Sequence, residues 1–155
     1  MNEYLTVKWL HILSSTLLFG TGIGSAFYLL VSTLRRDARV VAGAARIVVV
    51  ADWMFTATTV VFQPLSGWYL AHLSGMPLST PWIAWSLLLY AVAVACWLPV
   101  VWLQVRLRDL AGEAARHGTA LPPTYDRYFR AWVALGFPAF FAFVAIFYLM
   151  TAKPS

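Results

Sequence analysis

Two side chains in this sequence combine reactive chemistry with apolar surroundings. His11 lies in KWLHILSSTLLFG and Asp52 in ADWMFTATTVVFQPLSGWYL. An imidazole in such a stretch can ligate haem iron, carry a proton or hydrogen-bond a hydroxyl. A carboxylate there needs a partner, since a charge in hydrocarbon is costly, and Arg46 and Arg130 are the cations expected to reach it. Asp52 also begins a series. At about 100° per residue, Asp52, Thr56, Thr59, Gln63 and Ser66 fall within roughly 40° of one direction. On a helix this is a polar stripe that must face a bundle interior or a wet cavity. It reads as a structural ion pair with polar packing, or as a proton or ligand relay.

Little else could complete a catalytic set. A single cysteine, Cys96, allows neither an internal disulfide nor a cysteine metal cluster. There is no HExxH, no CxxC and no Walker loop, so no metal site is expected and a conventional hydrolase or dehydrogenase is disfavoured. The GTGIG string lies inside an apolar run rather than after a strand, so it is not a dinucleotide fingerprint.

The elements that hold these residues follow from charge. Of 155 residues, 61% are hydrophobic and 11% charged, with a mean hydropathy of +0.74, which excludes a soluble domain and a disordered chain. Trp9 to Leu34, Trp53 to Val105 and Ala131 to Ala152 carry no formal charge. One crossing takes about 20 apolar residues, so the middle run holds two, broken by the turn residues of HLSGMPLSTP at His72 to Pro81. The fold class is therefore all-α: a polytopic membrane protein whose single domain, 1–155, is a four-transmembrane-helix bundle. Its helices are expected near 5–33, 47–72, 81–107 with an extension to about 117, and 128–151. The first run is too long for a signal peptide and ends at Arg35-Arg36, as a retained helix does.

Nine of the eleven Lys and Arg residues fall in two loops: Arg35, Arg36, Arg39 and Arg46, then Arg106, Arg108, Arg116, Arg127 and Arg130. The positive-inside bias puts both loops in the cytoplasm and both termini outside, in a bacterial-type inner membrane. The net charge of +5 thus reflects topology and lipid head groups; nucleic acid is not an expected partner. In QVRLRDLAGEAARHG, Arg106–Asp109 and Glu113–Arg116 are expected i,i+3 pairs, with Gly118 as the stop. Thr124 is the expected cap of the last helix, with Asp126 in its first turn, and His117 is a solvated loop residue.

Helix faces carry further expectations. On helix 1, His11, Ser14, Ser15, Gly22 and Ser25 share one side, while Gly20 and Gly24 form a GxxxG pair on the other. Two close-packing faces place helix 1 centrally or at a homodimer seam. Helix 3 gathers Ser86, Tyr90, Ala93, Trp97 and Gln104, and helix 4 has a small-residue line of Ala134, Pro138 and Ala145. Pro64, Pro99 and Pro138 each free a carbonyl one turn back. By depth, His11, Ser14, Ser15, Gln63, Ser66, Ser86, Tyr90 and Tyr148 share the outer half and make a candidate polar pocket opening outward. His72 is turned about 160° from the Gln63 stripe. Trp9, Tyr69, Trp82 and Trp85 read as an interface belt.

The segments YLTVKWLHILSSTLLFGTGIGSAFYLL, ADWMFTATTVVFQPLSGWYL, CWLPVVWLQVRLRDLA and YFRAWVALGFPAFFAFVAIFYLMTAKP together resemble a bacterial family of predicted integral membrane proteins. It is catalogued as a domain of unknown function, family 2269. The resemblance covers nearly the whole chain and implies a four-helix inner-membrane protein without specifying an activity. WLHILSSTLLFG, SGWYL and the YFR…KP frame are also similar to the HemJ-type membrane protoporphyrinogen oxidases. That likeness implies haem b with an axial histidine at His11. The family's lysine and nearby histidine correspond here to Ser86 and Ala84 in PWIAWSLLLY, which removes the second ligand.

Three functions compete at this level. One is a haem b or redox protein using His11 above a pocket bordered by Tyr90, Trp97 and Tyr148. Another is a non-enzymatic accessory or assembly subunit, with a homodimer or membrane-complex partner on the Gly20–Gly24 face. The last is a small transporter or channel component lined by the Asp52 to Ser66 stripe. The bilayer is the partner common to all three.

Overall fold

A computed structural model describes residues 2–154 of the chain. They form four long helices: α1 (Glu3–Leu34), α2 (Ala38–Leu73), α3 (Pro81–His117) and α4 (Pro123–Ala152). Each is long and apolar enough to cross a membrane. Their outward faces carry large apolar side chains such as Trp9, Phe27, Val61, Leu98 and Phe141, all exposed, as a lipid-facing surface requires.

Three boundaries differ from the charge-based expectation. α2 starts at Ala38, well before residue 47, because Asp37 caps it: Oδ1 accepts from the backbone N–H of Arg39 at 2.8 Å and of Val40 at 3.3 Å. Arg39 and Arg46 therefore sit on the exposed face of a helix whose other side buries Val41, Ala45 and Val48. α4 starts at Pro123, with proline rather than a capped Thr124 at its first position. Near the end of α3, Arg108 pairs with Asp109 at 2.8 Å while Arg106 lies over the Trp102 ring, in place of the expected Arg106–Asp109 pair. α3 does end at Gly118, whose φ of +64° is the left-handed conformation that glycine adopts without a Cβ clash.

α1 lies along α2, α4 lies along α3, and the first half of α2 packs on α3. The main core is at the end that carries the arginines, here termed the basic end. Leu29, Val41, Val48, Leu107, Tyr125 and Trp132 are among its members. There Tyr125 is fully buried and its hydroxyl meets Thr33 Oγ1 at 2.8 Å, joining α1 to α4. Asp126 accepts from both terminal nitrogens of Arg36 in the same place.

At the opposite end, where α1 begins and α4 ends, α1 is tied to α2 by polar contacts, and α1 and α4 meet through aromatic side chains. Phe19 of α1 rests on Phe140, Phe143 and Phe147 of α4, with ring centroids 5.2–6.2 Å apart. Ala134 and Pro138 are exposed, so the expected small-residue line of helix 4 is not a packing seam; Tyr125, Trp132 and Ala142 are its buried positions.

Candidate functional site

α2 contains one wide turn. Residues Asp52–Thr56 are π-helical, with the Ala57 N–H donating to the Asp52 carbonyl five residues back. Such a turn disturbs the regular carbonyl pairing, and two following hydroxyls supplement it. Thr58 Oγ1 donates to the Met54 carbonyl at 2.8 Å, and Thr59 Oγ1 to the Phe55 carbonyl at 2.6 Å. The turn directs Asp52 and Thr56 inward, where both are buried.

In front of it lies a cavity of about 430 Å³, bounded by α1, α3 and α4 as well as α2. Its mouth is the gap between α1 and α4, where Ile23, Phe27, Phe137 and Phe140 are exposed to the bilayer side. Its walls are mostly apolar. The polar residues that line it are Ser25 from α1, Asp52 and Thr56 from α2, Trp97 and Gln104 from α3, and Trp132 from α4. The gap narrows at the Phe19 cluster on one side and at the Thr33–Tyr125 bond on the other.

Asp52 is served differently from expectation. It accepts from Trp97 Nε1–H, at 3.2 Å to Oδ2 and 3.5 Å to Oδ1, and among the described residues neither Arg46 nor Arg130 forms an ion pair with it. Both arginines lie on exposed helix faces. Trp132 Nε1 is buried without a hydrogen-bond partner and out of reach of a water molecule, while Thr56 Oγ1, equally buried, lies beside the Asp52 carboxylate.

The pocket expected from His11, Ser14, Ser15, Gln63, Ser66, Ser86 and Tyr90 is instead a packed seam. His11 Nδ1 stands 2.7 Å from Ser66 Oγ, and Gln63 Nε2 donates to the His11 carbonyl at 3.0 Å. The ring edge also lies close to Gly67, where a Cβ would come within 3.4 Å of His11 Cε1. Ser15 and Ser86 donate to their own helices, at the Ile12 and Trp82 carbonyls, and Ser14 Oγ is buried without a partner. Tyr90 donates to the Val60 carbonyl at 2.6 Å, the group that Pro64 leaves without a helical N–H. Tyr148 is 67% exposed and faces away from the seam, while His72 stacks on Trp68.

These residues do not fit haem b. An axial nitrogen must face a wide cleft, yet His11 is in the α1–α2 seam and does not border the cavity. Ser86, at the position of the second ligand, has its hydroxyl bonded to Trp82. Gly20 and Gly24 also differ from expectation within the chain: a Cβ at either would meet nothing within 4 Å, so neither is a close-packing site between these four helices.

Residues 5–154 match the family described as predicted integral membrane protein (DUF2269). The chain belongs to that family. No curated protein and no solved structure gives a match. In this DUF2269 member, the sequence singles out Asp52 with Thr56 on one inward stripe, but not Gln104 and Trp132 as further residues around the same cavity. The signal for Trp97 and Gln104 was their shared face on α3. Trp132 gave none, since an indole in an apolar helix looks like any other core or belt aromatic.

Proposed function

We propose that this integral membrane protein binds an amphiphilic small molecule that enters from the bilayer between α1 and α4. The supporting observation is the cavity itself, apolar over most of its wall, with Asp52 and Trp97 hydrogen-bonded to each other among its lining residues. Its volume of about 430 Å³ falls within the roughly 300–1,000 Å³ of small-molecule sites. Mass spectrometry of organic extracts from purified protein tests the reading. An amphiphile at near-equimolar amount is expected from the wild type and not from Gly136→Leu, whose side chain would occupy open space at the cavity. Identical extracts from both proteins would refute it.

A second reading, an accessory subunit or homodimer, draws on the open surface at Gly20 and Gly24, which offers a second helix a close approach. Gly20→Leu with Gly24→Leu should then reduce the particle mass measured by light scattering in detergent. A haem or redox role rests on the sequence likeness at His11, and a transport role on the α2 stripe. Inner-membrane placement with both arginine loops cytoplasmic rests on the positive-inside bias. Cysteine labelling from the outside, at Ser74→Cys but not Gly118→Cys in a Cys96→Ala background, is the expected pattern.

A further inference from the structure

We infer that the cavity seats one acyl chain of an anionic phospholipid from the leaflet at the basic end, with the lipid's phosphate outside the cavity at Arg130; this rests on the binding function proposed above and names its ligand. The space is long. It is lined from Leu18 to Leu30 on α1 and from Trp132 to Phe143 on α4, and the two helices run antiparallel, as the Phe19–Phe143 and Thr33–Tyr125 contacts require. At about 1.5 Å per residue each lining run is roughly 16–18 Å. With bonds near 1.5 Å and near-tetrahedral angles, an extended hydrocarbon of about 13–14 carbons has that length.

The far end is stopped by Phe19 against Phe140 and Phe147, and the side is open past Ile23, Phe27 and Phe137, so a chain enters laterally without threading. Inside, Asp52 is bonded to Trp97 and lies beside Thr56, so these polar groups are turned on one another. No Lys or Arg lines the cavity, and nothing within it would neutralise an anionic head.

The basic end of the gap supplies that charge. Arg130 of α4 is exposed and shares a helix face with Val133 and Phe137, which line the cavity about one and two turns farther on. It comes two residues before Trp132, where the lining of α4 begins. Arg36, just past the end of α1, donates to Asp126 through both terminal nitrogens, and Arg130 is within electrostatic reach of the same carboxylate. The Arg36–Asp126 pair neutralises itself, whereas Arg127 and Arg130 form no ion pair among the described residues and leave a surplus of positive charge. A guanidinium holds a phosphate through parallel hydrogen bonds, and the surplus favours a net anionic head over a zwitterionic one.

The test is native mass spectrometry of the detergent-solubilised protein with three probes: dimyristoylphosphatidylglycerol, dimyristoylphosphatidylcholine and dihexanoylphosphatidylglycerol. One dimyristoylphosphatidylglycerol per chain is expected, bound about fivefold or more tightly than the choline lipid of the same tails. The dihexanoyl lipid, which keeps the head and lacks the long chains, should bind far more weakly. Arg130→Gln should bring the glycerol lipid down to the level of the choline lipid, while Arg116→Gln, at an exposed arginine on the extension of α3, should change neither. An equal loss from Arg116→Gln, or dihexanoyl binding as tight as dimyristoyl, would overturn the inference, because the attraction would then be diffuse or the chain would have no seat. If the choline lipid binds as well and Gly136→Leu blocks both, the anionic assignment is wrong while the cavity remains an amphiphile site. If no probe binds at one per chain, or Gly136→Leu blocks none, the binding function itself is overturned.

Discussion

Pro64 and Tyr90 make a coupled pair whose energetics follow from their geometry. Proline has no N–H, so the Val60 carbonyl four residues earlier has no donor within α2. Tyr90 on α3 supplies one through its hydroxyl at 2.6 Å. A hydrogen bond contributes about 0.5–1.5 kcal/mol net, and stranding its buried partner about 1–3 kcal/mol. Interhelical bonds measured in membranes average about 0.6 and reach about 1.7 kcal/mol. Tyr90→Phe is therefore expected to destabilise the protein by about 1–1.5 kcal/mol. Pro64→Ala restores an N–H to the helix, which can take over the Val60 carbonyl. In that background Tyr90→Phe should have an effect of less than about 0.5 kcal/mol, giving a coupling of about 1 kcal/mol that is independent of what Pro64→Ala does alone. Unfolding by SDS titration of mixed micelles, followed by circular dichroism, measures all four proteins. Equal destabilisation by Tyr90→Phe in both backgrounds would refute the reasoning, because the hydroxyl would then have no specific claim on the carbonyl that proline freed.

At the basic end, Tyr125→Phe strands the buried Thr33 hydroxyl and should destabilise by about 1–2 kcal/mol in the same unfolding assay. Adding Thr33→Val should recover part of that loss; a double variant as weak as the sum of the singles would argue against the bond. Asp126→Asn breaks an exposed pair with Arg36, so its effect should be small and should disappear in high salt; a salt-independent loss would mean a different role for Asp126. With His11 engaged by Ser66, protein expressed with added haem precursor should show no Soret band, and a reducible band abolished by His11→Ala would displace His11 from its seam role. Gly20→Leu and Gly24→Leu should leave the stability of the isolated chain unchanged, since their side chains enter open space; strong destabilisation would show that the glycines are packed.

The spans could be read from the charge-free runs, the second turn from its glycine and prolines, and the end of α3 from Gly118. The first half of α2 was hidden for a physical reason. Arg39 and Arg46 mark a segment as non-membrane, and that says nothing against its being helical; the Asp37 cap was the available signal. Periodicity gave the direction in which Asp52, Thr56, Thr59, Gln63 and Ser66 point, and all five are buried. It could not say which helix each meets. Asp52 found an indole on α3 in place of an arginine, and Gln63 found a backbone carbonyl on α1. The residues near the termini close on one another, whereas the space lies where α1 and α4 stand apart. That separation depends on how four helices cross, which no single helix encodes.

The wide turn at Asp52–Thr56 also sets how this chain tolerates changes in length. Removing one residue from a regular transmembrane helix rotates everything beyond it by about 100°, which exchanges buried and lipid-facing positions. A π turn holds one residue more than an α turn, so a deletion of Met54 or Phe55 can be absorbed by tightening that turn. Ala38–Ala51 and Ala57–Leu73 would then keep their present faces. This makes residues 52–56 the stretch of α2 where a shortened chain should still insert and fold, with its cavity reshaped and the rest of the bundle in register.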